Sequence, residues 1–239
     1  MRLSVIIVGL AVLMPSAAMA ADVPALVDAP VIMPAADGHW SGFYAGIQGG
    51  FAGHEDFVAD PAYDPLPLTG TIEFSGAALG VHLGFDHQMD SLVFGAVGDV
   101  EWLDGEGTVG PLDGGFSTYG YAAANWQSSM RLRLGYAVDT LLFYGTAGIA
   151  FANYDFDFES SGGTAFGMGD QFNETLTGYT VGAGVAVATD LGIELFADYR
   201  YSDFGTVSST ITNCCAPPPN SQEHSVSSHT VRVGASLRF

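Results

Sequence analysis

The chain has 239 residues and a formal net charge of −20, with six Lys and Arg against 26 Asp and Glu. That balance argues against nucleic acid or other anionic phosphate as a partner, because such affinities depend on clustered basic side chains. Charged residues make up 13% of the chain and hydrophobic residues 48%, fewer charges than the roughly 25% of an ordinary soluble protein, a composition too apolar for free solution. The first twenty residues, MRLSVIIVGLAVLMPSAAMA, place Arg2 before an apolar run and end in Ala18-Met19-Ala20. They read as a secretory signal peptide over 1–20, since the run falls short of the roughly 18 apolar residues of a spanning anchor. Residues 21–39 contain Pro24, Pro30 and Pro34 without periodicity and read as an extended linker.

From Trp40 to Phe239 the chain repeats stretches of about ten residues with apolar and small or polar side chains alternating, the period of a β-strand with two unlike faces. Phe43, Ala45, Ile47 and Phe51 oppose Tyr44, Gly46, Gln48 and Gly50. Leu79, Val81, Leu83 and Phe85 oppose Gly80, His82, Gly84 and Asp86, and Phe94, Ala96, Val100 and Trp102 oppose Gly95, Val97, Asp99 and Glu101. The fourth stretch sets Met130, Leu132, Leu134 and Tyr136 against Ser129, Arg131, Arg133 and Gly135; the fifth sets Phe143, Ala147 and Ile149 against Tyr144, Thr146 and Gly148. Tyr179, Val181, Ala183 and Val185 oppose Thr180, Gly182 and Gly184, and Leu195, Ala197 and Tyr199 oppose Glu194, Phe196, Asp198 and Arg200. The last stretch sets Val231, Val233, Ala235, Leu237 and Phe239 against Thr230, Arg232, Gly234, Ser236 and Arg238.

Short turns near 88–91, 138–140 and 189–192 alternate with four links, 53–73, 103–125, 155–175 and 203–226, of about twenty residues each. Short turns on one side and long loops on the other are the layout of a bacterial outer-membrane barrel. A soluble β-sandwich also alternates, but its second face meets water and carries Lys, Glu, Thr and Asn; here that face is Gly, Ala and Ser, which suit a crowded barrel interior. A helix over Leu134–Ala152 fails at the Asp139-Thr140 turn and on its Gly, Tyr and Phe content. The expected fold is therefore all-β, an eight-stranded antiparallel up-and-down transmembrane β-barrel spanning residues 40–239.

Every arginine after Arg2, namely Arg131, Arg133, Arg200, Arg232 and Arg238, falls on the small-residue face, with Asp86, Asp99, Glu101, Glu194 and Asp198. An Arg facing lipid at the midplane costs about 2–4 kcal/mol, so this sorting turns the arginines inward. Eight strands leave room for side chains and little more, and buried guanidinium groups need carboxylate partners. Asp99 and Glu101 of the third strand are expected beside Arg131 and Arg133 of the fourth, and Glu194 and Asp198 beside Arg232, in a luminal network that also takes in Arg200. Either these charges plug the barrel or they line an open aqueous channel and are individually hydrated. Trp40, Trp102 and Trp126 fall at strand ends, where interfacial aromatics belong. The loops hold about fifteen acidic and no basic residues; they read as solvated surface, or as sites where Asp155, Asp157 and Glu159 recruit divalent cations at lipid headgroups.

The opening Trp40-Ser41-Gly42-Phe43-Tyr44-Ala45-Gly46 and the ending Val231 to Phe239 resemble the small alphaproteobacterial outer-membrane proteins of the porin-like, OmpA-like eight-stranded barrel family. The resemblance implies a cell outer-membrane location with the linker and C-terminus periplasmic, and a final strand read by the outer-membrane assembly machinery through Val233, Ala235, Leu237 and Phe239. Outer-membrane lipids and lipopolysaccharide are then the surrounding partners. The acidic loops and Cys214-Cys215 do not carry over from the family; that pair could be a vicinal disulfide, an intermolecular link or inert thiols. Outward parity of His229 and Ser227 would suit a membrane-edge hydrolase, but no H-x-S spacing occurs. No metal-ligand spacing among the histidines, no phosphate-binding glycine loop and no cofactor motif is present. The sequence thus reads as a non-enzymatic outer-membrane barrel with a structural and surface-presenting role, its lumen closed by Arg–carboxylate pairs, the rival being a small porin-like diffusion channel.

Overall fold

The computed structural model describes residues 39–60, 68–109, 118–160, 172–189, 191–211 and 220–239; the expected signal peptide, all of the expected linker but His39, and Cys214-Cys215 lie outside them. Eight strands, β1 (Gly42–Asp60), β2 (Leu68–Met89), β3 (Leu92–Val109), β4 (Thr118–Val138), β5 (Leu141–Ser160), β6 (Phe172–Ala188), β7 (Ile193–Ile211) and β8 (Asn220–Arg238), follow one another around a closed barrel. Each pairs antiparallel with its sequence neighbour, and β8 returns to β1 with Tyr44 opposite Arg238 and Ala59 opposite Glu223. Through the apolar band every strand is paired on both sides, the requirement for backbone placed in lipid, while on the hairpin side the β6–β7 pairing ends at Tyr179 and Asp203.

Side-chain direction follows the sequence period. Leu132 is 72% exposed while Arg131 and Arg133 beside it are buried, and Ile47, Phe51, Leu79, Leu83, Met130 and Val231 also point outward. From Tyr136 to Trp126 the outward side of β4 covers ten steps, about 33 Å of strand, or about 25 Å along the axis at a tilt of about 40°. That matches the apolar band of about 25 Å in outer-membrane barrels. Asp90 and Asp139 take positive φ, 53° each, in the β2–β3 and β4–β5 turns, a conformation that Asp tolerates.

The structure corrects the expected loops. Most of 53–73, 103–125 and 203–226, and both ends of 155–175, are strand, because β1 and β2, β3 and β4, β5 and β6, and β7 and β8 run on past the apolar band as paired hairpins. Polar side chains do not end a ladder whose amide groups still find partners across the pair; the loss of apolar alternation marks the end of the lipid-facing stretch, not of the strand. Register shifts lie just beyond the band, between Trp102 and Gly105 of β3, Ala124 and Trp126 of β4, and Asp203 and Thr206 of β7.

Candidate functional site

The lumen holds the chain's concentrated chemistry, and the strand register explains how bulky charged groups fit inside eight strands. Arg131 lies opposite Gly148, Arg133 opposite Gly95, Arg200 opposite Gly182, Arg232 opposite Gly50 and Glu101 opposite Gly80. The same rule places Tyr44 across from Gly84 and Tyr144 across from Gly184. A methyl group at Gly84 or Gly184 would collide with the facing tyrosine ring. The small-residue face is therefore half of a large–small pairing rather than empty space.

Five arginines meet five carboxylates in two layers. In the upper layer Arg131 donates to Asp99 Oδ2 at 2.5 Å, Arg200 donates to Asp99 Oδ1 at 2.9 Å and also to Glu101, and Arg232 donates to Glu101 Oε1 at 3.1 Å. Arg232 also holds Asp198, its direct cross-strand neighbour, through Nε and Nη2 at 2.8 Å each. Neutral donors complete the carboxylates: Ser129 on Asp99 at 2.7 Å, Gln48 at 2.6 Å and Gln127 at 2.5 Å on Glu101. In the lower layer Arg133 bridges Asp86 at 3.1 Å and Glu194 at 3.0 Å, and Arg238 joins the same two carboxylates at 3.0 and 2.7 Å. The Arg133 guanidinium also lies 4.0 Å from the Tyr144 ring centre, within cation–π range.

Two pairings differ from expectation, the first being that of Glu194, which meets Arg133 and Arg238 rather than Arg232 because it lies nearer the short turns. Arg133 does not meet Asp99 or Glu101; its cross-strand neighbour on β3 is Gly95, nearer the short turns, so it reaches Asp86 and Glu194 instead. Asp86 and Arg238, placed on the inner face by parity, belong to the network, and only the staggered register brings β2, β4, β7 and β8 together there.

Apolar layers bound the charges on both sides. On the short-turn side Trp40 is 0% exposed and packs with Val93, Ala137, Leu142, Tyr144 and Ala186. Its backbone carbonyl accepts from Arg238 at 2.8 Å and its backbone amide donates to Gln88 Oε1 at 3.1 Å. This corrects the interfacial reading of Trp40: the residue precedes β1, so strand parity does not set its direction, and its ring turns into the barrel mouth. On the hairpin side His54, Phe74, Tyr154, Leu176, Phe204 and Val226 are buried, with His54 stacked on Phe74 at 4.8 Å and bonded to the Tyr154 hydroxyl at 3.0 Å. Sequence reasoning missed this aromatic layer by assigning its residues to loops; continuing the period-two count through Phe74, Tyr154 and Phe204 would have turned them inward. Between the layers, a cavity of about 30 Å³ is lined by Arg131, Arg133, Arg232, His82 and Tyr144, room for one water and little more.

Outside the barrel, Trp102 is 59% exposed and faces Trp126 directly. Both sit at the hairpin-side rim of the apolar band, although the strands continue beyond them. Val233, Leu237 and Phe239 point outward, and the Phe239 amide and carbonyl bond to Phe43 at 2.9 and 3.1 Å. Asp155 is held by Asn125 at 2.7 Å and by Asn173, while the Asp157 and Glu159 side chains lie outside the described residues. Among the described residues no group of three acidic, His or Cys side chains converges as a metal site. His229 Nδ1 bonds to the Tyr199 hydroxyl at 2.5 Å rather than to Ser227.

A family model described as "Outer membrane protein beta-barrel domain" matches residues 9–239. The "31 kDa outer-membrane immunogenic protein" of Brucella melitensis is 30% identical over 99% of both chains. A "22 kDa outer membrane protein" of Rhizobium leguminosarum bv. viciae is 30% identical over 70% of this chain and 65% of its own. Among solved structures, the outer membrane protein OprG from Pseudomonas aeruginosa is 16% identical with a TM-score of 0.49, covering 84% of this chain and 99% of that one. With the closed eight-stranded barrel and its apolar exterior in hand, the chain belongs to the outer-membrane β-barrel protein family and resides in the outer membrane of a Gram-negative bacterium.

Proposed function

We propose that this barrel is a non-enzymatic, non-conducting structural protein that presents its long hairpins at the cell surface. The observation that carries the reading is the equality of charge between the two apolar layers: Arg131, Arg133, Arg200, Arg232 and Arg238 against Asp86, Asp99, Glu101, Glu194 and Asp198, every one in an ion pair, while the buried Asp56 pairs with His224 on the hairpin side. A conduction path needs groups that face water and exchange partners, whereas these carboxylates are each held by an arginine. Surface presentation is supported by hairpins that stand beyond the apolar band and by the name of the Brucella relative, an immunogenic protein. The outward Val233, Ala235, Leu237 and Phe239 remain the signal we assign to the assembly machinery.

The rival, a small diffusion channel, draws on the cavity beside Arg131 and Arg232. Planar-bilayer recording of the refolded full chain separates the two. A sealed lumen gives no reproducible single-channel steps; steps that vanish in Arg131→Ala or Asp99→Ala would establish the channel and end the structural reading.

A further inference from the structure

Beyond the apolar band the wall is interrupted at two seams. The β6–β7 ladder ends at Tyr179 and Asp203, although β6 stays paired to β5 as far as Phe172 and β7 stays paired to β8 as far as Ile211. The β2–β3 ladder ends in the same way at Ser75 and Glu106, so the hairpin side divides into two four-stranded sheets, β3–β4–β5–β6 and β7–β8–β1–β2. The stop between β6 and β7 coincides with the β7 irregularity between Asp203 and Thr206, where Gly205 takes a φ of 71°. The backbone groups of Phe172–Gly178 that point away from β5 therefore have no ladder partner among the described residues, and such groups are a ready template for another strand.

The β6 edge is held extended from its other side. Asn173 and Asn153 exchange side-chain bonds at 3.1 and 3.3 Å, Thr175 accepts from Asn153 at 3.3 Å, and Asn173 also bonds Asp155, so these side chains tie β6 back to β5. Thr175 and Thr177 are exposed, and Phe172–Gly178 contains neither Lys nor Pro, two residues that blunt exposed edges. Its one charge is Glu174, of the same parity as the buried Leu176, and the Glu174 Oε2 is buried without a hydrogen-bond partner among the described residues. An inward charge on an edge turns away strands that cannot match it, while an unpaired buried carboxylate oxygen favours one that brings a cation. A second copy of this chain has none to bring, because it has no Lys, Arg2 lies in the expected leader and the other five arginines are paired in the lumen.

We infer that the β6 edge takes up an extended segment of a protein partner outside the cell, added as a further strand and carrying a Lys or Arg on the face that meets Glu174. Backbone bonds to Phe172–Gly178 supply affinity, and alternate side chains supply selectivity. One face of the added strand meets Glu174 and Leu176, which asks for a basic and an apolar residue two apart; the other stands beside Thr175 and Thr177 and accepts small polar residues. The inference rests on the proposed presentation of the hairpins at the cell surface. Binding is measured on the purified barrel and presentation by proteolysis of intact cells, so failure of one is distinguishable from failure of the other.

The test uses isotope-labelled full-length protein refolded in dodecyl maltoside micelles, with the amides of Phe172–Gly178 followed by chemical shift and hydrogen exchange. The probe is a blocked peptide repeating Lys-Thr-Val-Thr. It is compared with the Glu-Thr-Val-Thr repeat and with the lysine peptide N-methylated throughout, which keeps the charge but cannot extend a ladder. Saturable shifts and slowed exchange with the lysine peptide, at least tenfold weaker with either control and at least fivefold weaker in Glu174→Gln, are the expected result. No saturable shift, or equal binding of the N-methylated peptide, would overturn strand addition and leave mere attraction to an acidic surface. Equal binding of the glutamate peptide, or an unaltered titration in Glu174→Gln, would overturn the selection of a cation. Concentration-dependent protection of the same amides without peptide would make a second copy the occupant and overturn the partner inferred here. The three peptides on the unaltered protein carry the test if Glu174→Gln fails to fold.

Discussion

Removing Asp99 should cost more than removing Asp99 and Arg131 together. Arg131 has Asp99 as its ion-pair partner, whereas Arg200 also holds Glu101 and Arg232 also holds Glu101 and Asp198. Asp99→Asn therefore strands one buried guanidinium, and breaking a buried pair from one side costs about 3–5 kcal/mol. Arg131→Met leaves Asp99 with Arg200 at 2.9 Å, Arg232 at 3.6 Å and Ser129 at 2.7 Å, a loss of about 1–3 kcal/mol for one charge-assisted bond. The double variant returns the lumen to four arginines and four carboxylates, and exchange of a whole pair for uncharged groups is often close to neutral. Its expected cost is about 1–2 kcal/mol, below the sum of the singles by about 2 kcal/mol or more, the coupling typical of a shared network. Urea titration of barrels refolded into vesicles, read by the heat-modifiable band and by tryptophan fluorescence, gives all corners of the cycle. Additive costs would mean that the two charges are separately hydrated, and the sealed lumen would have to be given up.

Leu132→Arg, near the middle of the apolar band, should destabilise by about 2–4 kcal/mol, roughly 30- to 700-fold in the folded-to-unfolded ratio, while Leu132→Phe stays close to wild type in the same titration. Gly184→Ala should cost about 1–3 kcal/mol by overpacking, because its methyl meets the Tyr144 ring, whereas Gly98→Ala, with only Ser129 O at 3.7 Å, should shift the urea midpoint little. Trp40→Ala should cost about 3–5 kcal/mol, as loss of a fully buried Trp does, and equal midpoints for variant and wild type would show that the ring does not close the barrel end.

Alternation made the strands, their faces and the inward arginines legible, because lipid on one side and a narrow interior on the other punish a misplaced side chain at every second residue. What failed was where that pressure stops. Beyond the apolar band, Phe74, Tyr154 and Phe204 keep the inward parity, yet the outward neighbours Ser75, Asp155 and Asp203 are polar, so the stretch looked like loop. Ion-pair partners were partly legible for a second reason. Arg232 and Asp198 are direct cross-strand neighbours, a relation that adjacent hairpin strands nearly impose. Arg133, by contrast, reaches carboxylates on β2 and β7, and contacts across a lumen depend on shear and stagger, which no single strand encodes. Trp40 lay outside both rules, since it precedes the first strand, where its backbone amide and carbonyl are held by Gln88 and Arg238 rather than by a strand ladder.

The apolar ends and the ionic centre depend on one another. Guanidinium–carboxylate pairs gain strength as water is withdrawn, but each charge left unmatched there becomes correspondingly expensive. An eight-stranded barrel with open mouths would hydrate its charges and weaken every pair, and one with apolar mouths but unequal charges would bury an ion without a partner. The Trp40 layer, the His54–Phe74–Tyr154 layer and the equal numbers of arginines and carboxylates meet both conditions at once. The same allocation leaves the outer wall and hairpins with acidic residues and no arginine or lysine, since Arg2 is the one arginine outside the lumen and the chain has no lysine. Negative charge at the surface is thus the counterpart of a core whose arginines and carboxylates balance between the two apolar layers.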